Sequence, residues 1–390
     1  MIESRPRRGS PLITAVALAA QGMVGVFHTI LGTALPAIRA DLNLDLIQAG
    51  AFGGAAWLGF TFSILAGGLL ADLIPRPRVV RLGCLMIGLG AVTFGEVRSL
   101  ALNLLLIALV GGGTGVVTSG ATALLMGLHP GREGIYTSVL HFFYALGTMG
   151  GAAGMAYLLE AGGDWRLIYH GAGVFLFLLA VLPAEDKIAG RSGGPGLRAG
   201  DLLGLLQERT MWLLLLAMLL GVGNQNGLSY WLVSFLTEVR ALSIFAAGMG
   251  LTLFSVGMLA GRLLAGLMSV RYRIASILLI LTAGLNAAVF LLLRQGDPVA
   301  ALIWCFLAGL GFSALFPFLM TLGGLAYPGH QGTAVGLLGA AAGVGSTLVP
   351  WLISLVSSVS SLKSGLWVSQ AAALLVFVLA GLLKRRRIQG

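Results

Sequence analysis

Charge is what this sequence has least of. Asp, Glu, Lys and Arg together make up 10% of the 390 residues, against about 25% in an ordinary soluble domain, which excludes a water-soluble globular protein. Cysteine is nearly absent as well. Cys84 and Cys305 both fall inside apolar runs, so two buried reduced thiols are expected rather than a disulfide framework. Acid is scarcer than base, with 14 Asp and Glu against 24 Lys and Arg and a net charge of +10. That excess does not make a nucleic-acid surface, because the arginines lie between apolar runs and form no face of a soluble domain. No nucleophile–base pair and no metal-ligand spacing appears near the end of an apolar run, so neither an enzyme nor a metal or other cofactor is expected.

What is there is apolar: 57% of the residues are hydrophobic. At about 20 apolar residues per crossing, with short loops, a chain of this length makes about twelve spans. They are expected at 12–35, 51–71, 82–98, 101–128, 135–158 and 167–183, and then at 211–236, 244–268, 275–293, 299–326, 333–356 and 364–383. Arg5, Arg7 and Arg8 precede the first run without a convincing cleavage site, which reads as a retained span rather than a signal peptide. The longest loop, 184–210, carries Glu185-Asp186-Lys187 and Arg191-Ser192-Gly193-Gly194-Pro195-Gly196, a composition suited to a flexible linker.

Basic residues give the orientation. Arg39, Arg98, Arg166, Arg240, Arg294 and Lys363 lie on the odd-numbered loops, and Arg262 alone lies inside a span. All other Lys and Arg lie at the termini, on the even-numbered loops and on the linker. The positive-inside bias therefore places both termini in the cytoplasm.

Two stretches carry the internal organisation. Gly68-Leu69-Leu70-Ala71-Asp72-Leu73-Ile74-Pro75-Arg76-Pro77-Arg78 closes one span and opens the next, and about 198 residues later Gly266-Leu267-Met268-Ser269-Val270-Arg271-Tyr272-Arg273 does the same. A helix–loop–helix repeated at half the chain length points to a duplication. Val270 stands where the first copy has Asp72, so the halves are not chemically equivalent. Small residues recur at helical spacing in the pairs Gly111/Gly115, Gly150/Gly154, Gly257/Gly261 and Gly339/Gly343, as close helix packing in lipid requires.

Polar side chains at membrane depth must find a partner or line a wet cavity. The richest set is Asn224, Gln225 and Asn226, followed by Ser229 and Tyr230, in the seventh span. Three consecutive amides point three ways around a helix, so at most two can face one cavity. Gln21, His28 and Thr29 in the first span, Thr114, Thr118, Ser119 and Thr122 in the fourth, and His141, Tyr144 and Thr148 in the fifth complete the inventory. Hydrogen bonding between or within helices remains open for each of them. No Asp or Glu falls in the middle third of any span. Proton coupling, if present, is therefore left to His28 or His141.

Gly-x-x-x-Asp at 68–72, Pro75 in the turn and the following arginines resemble the signature loop of major facilitator superfamily transporters, although Leu73 and Pro75 stand where that family usually has a basic residue and a glycine. The resemblance implies an all-α membrane protein: twelve transmembrane helices in two six-helix bundles, residues 1–183 and 211–390, joined by the cytoplasmic linker 184–210. It also implies alternating access, with Gly68, Asp72, Arg76, Arg78 and Arg262 at the conformational gate. Asp72 is then expected beside the start of the eleventh span, near Gly332 and Thr333. Three segments, 140–147, 223–232 and 311–317, resemble the fucose permease-like sugar symporters, whose essential acids this chain lacks. Against drug–proton antiporters, the fifth span lacks a Gly-Pro pair after Gly147, and Ile107 stands where the fourth would carry Arg. The expected function is a secondary transporter for a small polar solute, a sugar or related metabolite. It is expected in the cytoplasmic membrane as a monomer, with protons as a possible coupling ion. Gln21, His28, Thr118, His141, Tyr144, Asn224, Gln225, Asn226 and Tyr230 are the expected solute contacts. Efflux of an amphipathic compound is the alternative, and a receptor or scaffold that moves no solute is a third reading.

Overall fold

The structure is a computed structural model that describes residues 11–129, 132–182, 204–327 and 330–386. Arg5, Arg7, Arg8, Arg387 and the linker up to residue 203 lie outside the described residues. Every regular element among those described is helical: α1 (Pro11–Leu42), α2 (Leu46–Leu73), α3 (Arg76–Thr93), α4 (Leu100–Leu128), α5 (Glu133–Glu160), α6 (Arg166–Val181), α7 (Arg209–Glu238), α8 (Ile244–Ser269), α9 (Ile274–Arg294), α10 (Pro298–Phe312), α11 (Leu315–Ala326), α12 (Gln331–Val359), α13 (Leu362–Gly365) and α14 (Trp367–Arg385).

Ten helices among the described residues are long and apolar enough to cross a membrane, with α10–α11 and α13–α14 each counting once. The expected third and sixth spans correspond to α3 and α6. Of these, α6 has 16 residues, about 24 Å at 1.5 Å per residue, less than the ~30 Å hydrocarbon core.

The breaks have local causes. Asp297 caps α10, its carboxylate accepting from the Val299 and Ala300 N–H groups at 2.7 and 2.9 Å, with Pro298 in the first helical position, where an N–H is dispensable. The same span breaks between Phe312 and Leu315 because Pro317 has no N–H for the Ser313 carbonyl four residues back. Arg262, the only basic residue within an expected span, donates from Nε to that carbonyl at 3.4 Å. It fills a vacancy in the helix ladder, which explains how a guanidinium is tolerated there.

The chain packs as two compact units. One comprises Met1–His28, Ala55–Gly151 and Asp164–Gly193; the other comprises Thr29–Gly54, Ala152–Gly163 and Gly194–Gly390. Within the first, α1 meets α5 where a Cβ on Gly25 would collide with the Tyr144 carbonyl and one on Gly147 with the Gly22 carbonyl. Likewise α2 meets α4 where Gly59 faces the Ala108 carbonyl and Gly111 the Ala56 carbonyl. α3 packs on α4 and α6. Arg166 holds the far ends of α3 and α6 together by donating to the Gly95 carbonyl at 2.8 Å, while Asn103 satisfies three backbone groups of the α3–α4 loop.

The second unit repeats this scheme. Gly223 and Gly345 bring α7 against α12, Gly257 and Gly309 bring α8 against α10, and α9 packs on α10 and α14. First helix to fifth, second to fourth and third to sixth: the same pairings recur in each half of the sequence, as a duplicated helical unit requires. The small-residue pairs behave unequally. Gly111, Gly115, Gly257 and Gly261 sit in backbone contacts, whereas Gly150 and Gly154 have open space beside them.

Candidate functional site

In the first unit α1 and α5 are held so closely at Gly25 and Gly147 that the side chains beside those glycines are brought together. His28 packs edge-on against Tyr144, ring centroids 5.7 Å apart, and against Trp57 of α2 at 5.1 Å. Trp57 in turn meets Phe60 at 5.3 Å. All four rings are only half-buried. Quadrupolar rings in edge-to-face contact form a wall suited to stacking on a flat or cyclic solute. Gln21, one face along α1, is 1% exposed and its Oε1 has no hydrogen-bond partner among the described residues. His141 lies one turn before Tyr144 on α5 and is exposed. Thr118 is half-buried and donates to the Thr114 carbonyl at 2.8 Å. Thr114, Ser119 and Thr122 also bond their own helix, as short hydroxyl side chains do.

Trp57 and Phe60 escaped the sequence analysis, which followed polar residues. Their signal was present in Trp57-Leu58-Gly59-Phe60: two rings three residues apart share a helix face beside the glycine that admits α4. His129 escaped too. It caps α4, stacks on Tyr136 with ring centroids 3.4 Å apart, and shares a 3.0 Å hydrogen bond with Thr14 Oγ1. Desolvation first, and then the positive charge of Arg132, hold its pKa below the ordinary 6.5. At neutral pH the ring is therefore uncharged, and Nε2 can accept from Thr14.

In the second unit the three consecutive amides of α7 separate, as their 100° spacing demands. Asn224 is fully buried and donates to the Ser369 carbonyl of α14 at 2.9 Å; Asn226 donates to Ser346 Oγ of α12 at 2.7 Å. Gln225 alone is half-exposed. Two of the three thus donate across to neighbouring helices, and Gln225 is the one that keeps accessible surface. Asn226→Ala is expected to cost about 1 kcal/mol of stability through the lost hydrogen bond, lowering the melting temperature of the purified protein. Gln225→Ala is expected to leave it unchanged. Equal melting curves for the two variants would count against this division of roles.

Tyr230 is buried, its hydroxyl donating to the Ala49 carbonyl at 2.5 Å while its ring lies against Gly53. Its expected solute contact gives way to a contact with the start of α2. The same region holds further joints between the first- and second-half segments of this unit. Arg39 at the end of α1 pairs with Glu238 at the end of α7, N to O 2.6 Å. The Glu160 carboxylate accepts from the Phe245 N–H at 3.0 Å, at the start of α8. Gly50 packs on Ser354 closely enough that a Cβ would collide with it. Arg39 and Glu238 are 199 residues apart, close to the repeat spacing, so equivalent positions of the two halves carry opposite charges. The pair is partly exposed, which limits it to about 0.2–1 kcal/mol. Glu238→Gln should accordingly open this contact about twofold to fivefold, read as faster thiol labelling of Ser354→Cys over the buried Cys84 and Cys305 background. The exchange Arg39→Glu with Glu238→Arg should restore the parental rate; failure to do so would refute the pairing.

Of the residues assigned to the gate, Arg76 is half-buried and donates to the Ala123 carbonyl near the end of α4 at 2.8 Å, a cation at a helix C-terminus. Arg78 is exposed, and Gly68 has open space beside it. The side chain of Asp72 and the surroundings of Gly332 are not described. Among the described residues, every carboxylate that lies on a helix (Asp41, Asp72, Glu133, Glu160 and Glu238) is within two residues of its end.

The sequence matches the family model for the Major Facilitator Superfamily over residues 17–328 and again over 214–389. The chain is 32% identical over 197 residues to the puromycin resistance protein of Streptomyces alboniger, a stretch that spans 48% of this chain but only 38% of that protein. A bacterial homologue of the human lysosomal transporter Spinster, solved in an inward-facing and occupied conformation, superposes with a TM-score of 0.78 at 16% identity, covering 98% of both chains. For a D-xylose–proton symporter the TM-score is 0.73 at 14% identity, covering 95% of this chain and 96% of the other. The repeated helix pairing and the family match agree: this chain is a multi-pass membrane protein and belongs to the major facilitator superfamily.

Proposed function

We propose that the chain is a secondary transporter for a small amphipathic solute that presents a ring to the His28–Trp57–Tyr144 wall and a polar group to Gln21. The carrying observation is that wall of half-buried rings, set beside the commitment of Asn224 and Asn226 to helix–helix bonds. Fewer amides free for hydroxyl groups and more aromatic surface shift the balance from a sugar towards the efflux reading. The puromycin resistance relative, itself named for an aromatic-bearing compound, supports that direction. Transport runs by alternating access of two bundles, 1–183 and 211–390, in a monomer. The protein sits in the cytoplasmic membrane with both termini inside, as the distribution of Lys and Arg favours. A sugar remains the second reading, because Gln225 is half-exposed and a ring wall also accommodates the apolar face of a pyranose.

Thermal stabilisation of the purified protein by puromycin, a purine nucleoside, D-xylose and L-fucose separates the two. A shift with the first pair alone supports the amphipathic solute, and a shift with the sugars alone overturns it. The driving force is read on the same protein in liposomes under an imposed pH gradient. With every helix-borne carboxylate among the described residues at a helix end, gradient-driven accumulation is expected to be weak and to vanish in His28→Gln/His141→Gln. Strong accumulation that survives in the double variant would move the coupling role to Glu238.

A further inference from the structure

One cavity lies apart from both the ring wall and the α7 amides. It has a volume of about 420 Å³ and lies where α7 begins and α14 ends, lined by Arg209, Leu213, Leu382, Arg385 and Arg386. The helices that frame it pack directly on one another. Three guanidinium groups therefore converge on one concavity with two leucines as its apolar wall. Among the described residues none of the three arginines has a carboxylate partner, and Glu208, next to Arg209 in the chain, makes no ion pair with them. Arg385 and Arg386 also complement the C-terminal dipole of α14, but that role needs neither Arg209 nor a cavity.

The neighbourhood gives the depth. Trp212, one turn into α7, is 50% exposed and its indole N–H donates to the Leu206 carbonyl at 2.8 Å. An amphipathic ring turned outward in this way marks the level of the lipid headgroups. At that level a concave set of unpaired guanidinium groups above leucine side chains matches one chemistry: a phosphate diester with acyl chains attached. Arginine forks bind phosphate oxygens in pairs, the first turn of α7 contributes its positive end, and Leu213 and Leu382 meet the start of the hydrocarbon. We propose that this corner of α7 and α14 is a binding site for an anionic glycerophospholipid, a place where the bilayer grips the second half of the chain.

The test is native mass spectrometry together with thermal unfolding of the delipidated protein. Phosphatidylglycerol, cardiolipin, phosphatidylcholine and inorganic phosphate are added separately. The two anionic lipids should remain bound at collision energies that strip phosphatidylcholine, and should raise the melting temperature. Inorganic phosphate should do neither. Arg209→Gln/Arg385→Gln/Arg386→Gln should weaken anionic lipid binding by about tenfold or more, given roughly a fivefold contribution per basic residue at a membrane surface. Arg271→Gln/Arg273→Gln, an exposed basic pair on the α8–α9 turn, should leave it unchanged. Should the triple variant not fold, Arg209→Gln alone carries the test with a loss of about fivefold. Equal losses in the two sets would assign the effect to general surface charge and overturn the site. So would unchanged binding in the α7–α14 variant, while an equal shift with inorganic phosphate would overturn the lipid as its occupant.

Discussion

Gly111→Leu and Gly309→Leu are each expected to abolish recovery of monodisperse protein, whereas Gly150→Leu and Gly154→Leu should be recovered at near-parental yield and melting temperature. At Gly111 the first added carbon runs into the Ala56 carbonyl, and at Gly309 into the Phe254 carbonyl. The obstacle is backbone of a neighbouring helix, so no rotamer change relieves it and the helices must separate. Overpacking in a yielding core costs about 1–3 kcal/mol; against backbone the cost includes the whole α2–α4 or α8–α10 contact, in a molecule whose total stability is only about 5–15 kcal/mol. Beside Gly150 and Gly154 there is nothing within reach. The four glycines look alike in the sequence, which makes the comparison direct. Size-exclusion profiles in detergent decide it: recovery of Gly111→Leu with a normal melting curve would refute the packing assigned to α2 and α4.

Trp57→Ala is expected to remove solute recognition while leaving the fold intact. The ring is half-buried and its contacts are with His28 and Phe60, so truncation opens no sealed core. A stacked ring in a solute site contributes about 1–3 kcal/mol, which predicts solute binding weakened roughly tenfold to a hundredfold, with Trp57→Phe recovering most of it. Tyr144→Ala should follow the same pattern. Binding measured by solute-induced thermal shift would exclude the ring wall if Trp57→Ala bound like the parent. A large fall in the melting temperature of the unliganded variant would instead assign Trp57 to packing.

The fate of the polar residues shows where one-dimensional reasoning stops. Asn224, Gln225 and Asn226 are adjacent and chemically similar, and a helix necessarily turns them 100° apart; which one faces a cavity depends on where α12 and α14 lie. With Ser346 and the Ser369 carbonyl in range, Asn224 and Asn226 each donate from Nδ2 to a neighbouring helix, while their Oδ1 atoms have no hydrogen-bond partner among the described residues. Tyr230 moved from solute contact to helix contact for the same reason, since the Ala49 carbonyl that accepts its hydroxyl is 181 residues away in the chain. Arg262 could be recognised as anomalous from its position within a span. Its partner was hidden, because the Ser313 carbonyl becomes available only through Pro317.

By itself the sequence determined the solvent and the plan. Scarce charge and long apolar runs dictate a membrane protein of stacked helices, because only internally bonded backbone is stable in hydrocarbon. The motif repeated about 198 residues later announced the duplicated pairing of helices, and the spacing of acids along the chain excluded a mid-helix carboxylate. These are one-dimensional facts about composition and period. Tertiary structure alone decided which of two similar glycines bears a helix crossing, which of three amides stays half-exposed, and that Trp57 stands beside His28. It also decided that Arg39 meets Glu238 and that Arg209 meets Arg385 and Arg386 across one cavity. Each of these depends on the rotation of one helix about its axis and on its offset along a neighbour. Those two quantities are set by the packing of all the side chains at once, and no local stretch of sequence contains them.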